Sequence, residues 1–178
     1  MIVDKQNLIA LFDPSIAKVG KVQWHPSEDS SVDLSQTCAT LKRGNGDRIA
    51  AYFKVDPKFA SRQTDYHDFT IQYLDSGLGS WFIECISREQ ASDGEFSWLA
   101  TERVELLDTG EKREVCLRVT NAKLTGHMNG ADFRLSVVSS DAEQFTLYNL
   151  RVAVAMDPTD RDIPNSFLHP TQTNPIKL

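Results

Sequence analysis

Between Phe69 and Cys85 the chain reads Phe-Thr-Ile-Gln-Tyr-Leu-Asp-Ser-Gly-Leu-Gly-Ser-Trp-Phe-Ile-Glu-Cys, and its apolar residues follow a period of two. Phe69, Ile71 and Tyr73 share one face when extended, and so do Trp81, Ile83 and Cys85. Gly77 and Gly79 provide the backbone freedom of a tight reversal, with Asp75 and Ser76 able to hydrogen-bond nearby backbone. The segment is expected to be a strand, a glycine turn and a second strand. No 3.6-residue period runs through it.

The same alternation marks candidate strands over 37–42, 48–55, 68–74, 80–87, 96–106, 114–120, 132–138 and 145–155. Their spacing of about ten residues, broken by turn chemistry, predicts an all-β antiparallel sandwich of jelly-roll topology. A parallel α/β fold would need helices between the strands, and no gap holds one. Gly44-Asn45-Gly46-Asp47 reads as the turn of a hairpin. With 178 residues there is one sandwich domain, expected over 37–156. Residues 1–36 read as an irregular N-terminal segment. Within it Leu8, Ile9, Leu11 and Phe12 form a helical turn or an edge strand stopped by Pro14, and the polar stretch 27–36 is a loop. After Asp157 the prolines at 158, 164, 170 and 175 punctuate an extended C-terminal arm, 157–178.

Charge narrows the partners. A net charge of −6 disfavours a nucleic acid or an anionic membrane, since either wants a concentrated basic face. No apolar window reaches the roughly 20 residues of a membrane span. Met1-Ile2-Val3-Asp4-Lys5 has no basic-then-apolar secretion signal, which points to a chain kept in the cytoplasm, incorporated into a particle, or cut from a longer secreted protein. Cys38, Cys85 and Cys116 are odd in number and lack a Cys-x-x-Cys pair, so no structural disulfide is expected and Cys85 should be a buried thiol.

Three pieces carry a family likeness: Tyr52-Phe53-Lys54-Val55-Asp56, Tyr73-Leu74-Asp75-Ser76-Gly77-Leu78-Gly79-Ser80-Trp81, and Asn129-Gly130-Ala131-Asp132-Phe133-Arg134-Leu135. Over about residues 44–155 the chain resembles the galactose-binding-like jelly-roll modules attached to bacterial glycoside hydrolases and polysaccharide lyases. That resemblance implies a non-catalytic glycan-binding module. Two departures remove aromatics of the family pattern: Lys112 stands where a Trp follows Thr-Gly-x, and Asn121-Ala122-Lys123-Leu124 replaces Asp-Ala-x-Phe. A third places Phe82 and Ile86 on the outward face of the Trp81 strand, where a contact surface for another protein is one reading and cover by another part of the chain is the other.

No catalytic motif is present. The four histidines are isolated from metal-ligand spacing, and no nucleophile elbow, Walker loop or dinucleotide fingerprint occurs. Jelly-roll modules often carry a structural calcium, and Asp132 is the candidate ligand; otherwise an Asp at a strand start bonds nearby backbone N–H groups. Sugars are held by aromatic faces with polar groups reading hydroxyls. Trp24, in an expected loop, Tyr66, in the polar stretch 64–68, and Trp98 are the aromatic candidates, with Arg134 as a polar one. Trp98 shares parity with Phe96, which favours the core, and Arg134 alternates outward as a sugar contact or a salt-bridge partner. The expected function is therefore glycan or surface recognition without catalysis. The alternative is a structural or decoration subunit of a larger assembly, such as a virion surface, held to neighbouring copies by its arm.

Overall fold

Among the described residues, alternation carries the chain through thirteen strands: β1 (Leu8–Phe12), β2 (Val22–His25), β3 (Ser30–Leu34), β4 (Ala39–Arg43), β5 (Ile49–Val55), β6 (Tyr66–Leu74), β7 (Leu78–Gln90), β8 (Phe96–Ala100), β9 (Val104–Leu107), β10 (Lys112–Thr120), β11 (Ala122–Lys123), β12 (Phe133–Val138) and β13 (Gln144–Val154). This computed structural model describes residues 8–12, 22–25, 27–56, 66–90 and 96–154. The arm expected over 157–178 lies outside the described residues. One sheet has the order β10-β6-β13-β4-β3, with β1 also on β13; in the other, β7 pairs β12 and β11 as well as β8 and β9, and β12 continues to β5 and β2. Every pairing is antiparallel. The architecture is an all-β sandwich.

The Gly44–Asp47 turn read as a hairpin is instead an arch between the sheets, and so is the glycine turn that follows Asp75. β4 and β6 belong to the first sheet, β5 and β7 to the second. A strand that faces another across the core buries the same parity as one hydrogen-bonded beside it, so alternation alone does not separate the two cases. Gly77 and Gly79 do make the reversal, at φ +75° and +145°. A Cβ on Gly79 would collide with the Val138 carbonyl oxygen and press on Ser139. Gly79→Ala is therefore expected to destabilise by at least about 2 kcal/mol, read as a lower urea midpoint at unchanged slope. An unchanged midpoint would mean that β7 shifts freely.

Two other expectations change. The strand read over 96–106 is two, because Thr101 leaves the ladder: its N–H donates to the Ile83 carbonyl (2.9 Å) while its hydroxyl accepts from the Ile83 N–H (3.0 Å). The polar stretch expected as a loop forms β3, an edge strand on β4 in which Val32 packs on the core and Asp33 pairs with Lys42. Edge strands tolerate such polarity because one face and one rim meet water. The N-terminal segment thus contributes β1, β2 and β3 to the sheets.

Two aromatic groups join the layers. Tyr73 and Phe145 of the first sheet meet Trp81 of the second, with ring centroids 5.1–6.2 Å apart. Phe133 stacks on Phe53 and takes the edge of Phe69 at 5.4 and 5.0 Å. Separations of this size suit offset and edge-to-face packing. Cys85 lies in this core, where burial pushes its thiol up to about 12, and all three cysteines are free. Beneath the arch from β6 to β7, Asp75 is fully buried. Its carboxylate accepts from the Leu107 N–H (2.8 Å) and the Thr109 hydroxyl (2.6 Å), with the Arg113 Nε at 3.3 Å. Its N–H donates to the Glu111 carbonyl, and its carbonyl accepts from the Gly110 N–H, both at 2.8 Å.

Candidate functional site

The outer face of the second sheet carries a continuous polar network. Cross-strand register sets Ala100, Glu84, Arg134, Tyr52 and His25 in one row across β8, β7, β12, β5 and β2. Each precedes or follows a core residue, so parity turns all five away from the interior. The Arg134 guanidinium binds Glu84 through two N–H groups, at 2.6 and 2.9 Å, and donates a third to the Tyr52 hydroxyl at 3.1 Å. Tyr52 in turn donates to Asp29 at 2.9 Å. Ser136, next on β12, donates to Glu84 at 2.5 Å, and an Arg48 nitrogen lies 3.8 Å from the same carboxylate.

Burial alone would raise the Glu84 carboxyl, but the Arg134 and Ser136 hydrogen bonds and the charges of Arg134 and Arg48 outweigh it and hold the group below its usual range. Glu84 is thus an acceptor and a fixed negative charge, unsuited to giving up a proton at neutral pH.

Trp98 lies over this network. It is paired with Ile86 in the β7–β8 register, and its ring sits 4.6 Å from the Arg134 guanidinium carbon. It is 55% exposed, while Tyr52, Glu84 and Ile86 on the same face are buried. Ala50, Tyr52 and Ile86 form a small apolar cluster with Met128 and Ala131. The turn carrying Met128 is secured by His25, whose Nε2 lies 3.0 Å from the Asn129 carbonyl, and by positive φ at Asn129 and Gly130. Phe82 is covered by the Arg103 guanidinium, 4.9 Å from its ring centroid.

Among solved structures, the C-terminal family 22 carbohydrate-binding module of Clostridium thermocellum Xyn10B superposes with a TM-score of 0.54 at 12% identity, over 86% of this chain and 98% of that one. The chain has a carbohydrate-binding-module-like fold. A family 29 module from Piromyces equi is similar over 84% of this chain and 89% of that one, at 9% identity and a TM-score of 0.47. No family model and no curated protein matches the sequence. Nothing among these comparisons supports the particle-subunit alternative.

In this module-like fold the candidate residues separate. Trp98 and Arg134 come together on the outer face of the second sheet, against the parity argument that put Trp98 in the core. That argument took Phe96 as the inward anchor of the strand; register sets Trp98 instead beside Ile86, which lies on the outer face of β7. Trp24 is not in a loop. It lies in β2 opposite Phe53, partly buried against the core. Tyr66 begins β6 opposite Thr120, on the outer face of the other sheet, so it shares no surface with Trp98. Phe82 and Ile86 do point outward but are 6% and 4% exposed, so the chain itself covers them and they present no apolar contact surface.

Asp132 is buried and directs both oxygens at backbone N–H groups, Val55 at 2.7 Å and Gly126 at 2.5 Å. Burial pushes its carboxyl up despite those bonds. No group of three or more metal-ligating side chains occurs among the described residues. Glu84, Tyr52, Arg48 and Arg103 were missed in the sequence. Parity from Trp81 was enough to turn Glu84 outward, but only strand register pairs it with Arg134.

Proposed function

We propose that the chain is a non-catalytic glycan-binding module whose binding surface is the outer face of the second sheet. The observation that carries this reading is Trp98: a large aromatic more than half in water, seated on a guanidinium that is itself fixed by two bonds to Glu84. An indole held on one face offers the other as a flat apolar platform, and sugar rings present a matching C–H face. Preorganisation matters because little side-chain entropy is left to lose on binding. The Clostridium thermocellum module is described as binding its ligand in a cleft, and the shared fold makes a sheet face a natural counterpart. Catalysis is not part of the reading, since Glu84 is locked as a carboxylate by Arg134 and Ser136.

Affinity electrophoresis through gels containing soluble neutral or acidic polysaccharides tests it. The intact protein should be retarded by at least one polymer. Trp98→Ala should weaken that retardation on the order of tenfold or more, whereas Tyr66→Ala, on the opposite sheet, should behave like the parent. Silence across the whole panel, or full retardation of Trp98→Ala, removes the proposal.

A further inference from the structure

The floor beside Trp98 collects positive charge that the sequence keeps far apart. Arg48 precedes β5, Arg103 precedes β9 and Arg134 lies in β12, yet all three guanidiniums reach two neighbouring outward residues of β7. Arg134 and Arg48 meet Glu84, at 2.6 and 3.8 Å, and Arg103 lies over Phe82 while approaching the Ser80 hydroxyl at 3.4 Å. Glu84 and Phe82 are same-face neighbours on one strand, about 7 Å apart. Two cations therefore meet one carboxylate and a third lies over the next outward residue of the same strand, in a chain whose net charge is −6. Of the nearby acids, Asp29 accepts the Tyr52 hydroxyl and Glu105 stands one row further out, opposite Ser80 on β9.

The donor and acceptor inventory is equally one-sided. Glu84 already accepts from two N–H groups of Arg134 and from Ser136, and the Tyr52 hydroxyl both accepts from Arg134 and donates to Asp29. The remaining cations of this face, Arg48 and Arg103, are donors with no acceptor capacity. A neutral sugar hydroxyl is both donor and acceptor, so such a wall satisfies half of it. A carboxylate only accepts, and the planar guanidinium fork matches it bidentately.

Resting on the glycan-binding reading above, we infer that the ligand is an acidic polysaccharide whose uronate carboxylate docks at Arg48 and Arg103 while a sugar ring covers Trp98. The test compares polygalacturonate and glucuronoxylan with the same polymers after their carboxyls have been reduced to neutral alcohols, by affinity electrophoresis at low and at 0.5 M salt. At least one acidic form should be retarded ten times or more strongly than its reduced form, and added salt should erase the difference. The double variant Arg48→Gln/Arg103→Gln should lose the preference for the acid form, with its thermal melting confirming a folded protein. Equal retardation by acidic and reduced polymers, abolished by Trp98→Ala, overturns the carboxylate assignment and leaves the glycan reading standing, as does binding confined to neutral or sulphated polymers. If no polysaccharide of either panel is retarded, both fall.

Discussion

Asp75→Ala should lower stability by about 3–5 kcal/mol, with the melting temperature falling by roughly 10 °C. The carboxylate is wholly buried and serves three donors from the segment 107–113: the Leu107 N–H, the Thr109 hydroxyl and Arg113. Removing it strands a part-buried backbone N–H, for which a fully buried unpaired group would cost about 1–3 kcal/mol, and leaves a largely buried guanidinium without its counter-charge. This residue and its backbone bonds to Glu111 and Gly110 tie the chain from β9 into β10 to the β6–β7 arch, beside the Gly77 N–H that donates to Asp108. Asp75→Asn keeps an acceptor in place and should recover part of the loss. Chemical denaturation of the parent and both variants reads the series. A loss below about 1 kcal/mol for the alanine variant would mean that water replaces the carboxylate and that the site is a surface detail.

The second large effect is expected at Arg134. Arg134→Met keeps most of the side-chain volume and removes the charge, leaving Glu84 with Ser136 and a distant Arg48. Breaking a buried pair from one side costs about 3–5 kcal/mol, and combining the change with Glu84→Gln should return much of it, since the stranded charge goes too. The pH dependence supplies a separate readout. In the parent the Glu84 carboxyl lies below its unfolded value, so its contribution is present above pH of about 4.3 and is lost as the pH falls through the folded value. In Arg134→Met the depression shrinks while the burial that opposes it stays, so the acid limb of stability between about pH 5 and 3 should flatten. Trp98 would also lose its support, and polysaccharide retardation should fall with it. An unaltered acid limb would place the main partner of Glu84 elsewhere.

How much of this was legible in the chain depends on which physical pattern each feature uses. The period-two runs around Phe69–Tyr73 and Trp81–Cys85 were enough for strands and for an inward Cys85, since alternation is local. Arg134 as an outward residue followed from Phe133 in the same way. The resemblance to appended jelly-roll modules also agreed with the sandwich found. Trp24 failed because its neighbours His25 and Pro26 suggested a loop, whereas pairing with β5 decides that it faces Phe53. Trp98 failed because parity with Phe96 says only that the two share a face, whereas pairing with Ile86 decides which face that is. Tyr66 and Trp98 were grouped as aromatics, although opposite sheets hold them.

The amino-acid order by itself therefore determined the inward and outward faces of the strands around Phe69–Tyr73, Trp81–Cys85 and Phe133, and with that the all-β class. It did so because a strand's two faces are set by neighbours two residues apart. Which strands lie side by side was decided only in three dimensions, since an arch across the core and a hairpin within a sheet bury the same side chains. The meeting of Arg48, Arg103 and Arg134 over Glu84 and Phe82 belongs to that second kind of information: residues far apart in the chain become neighbours only once register is fixed by the packing of whole layers.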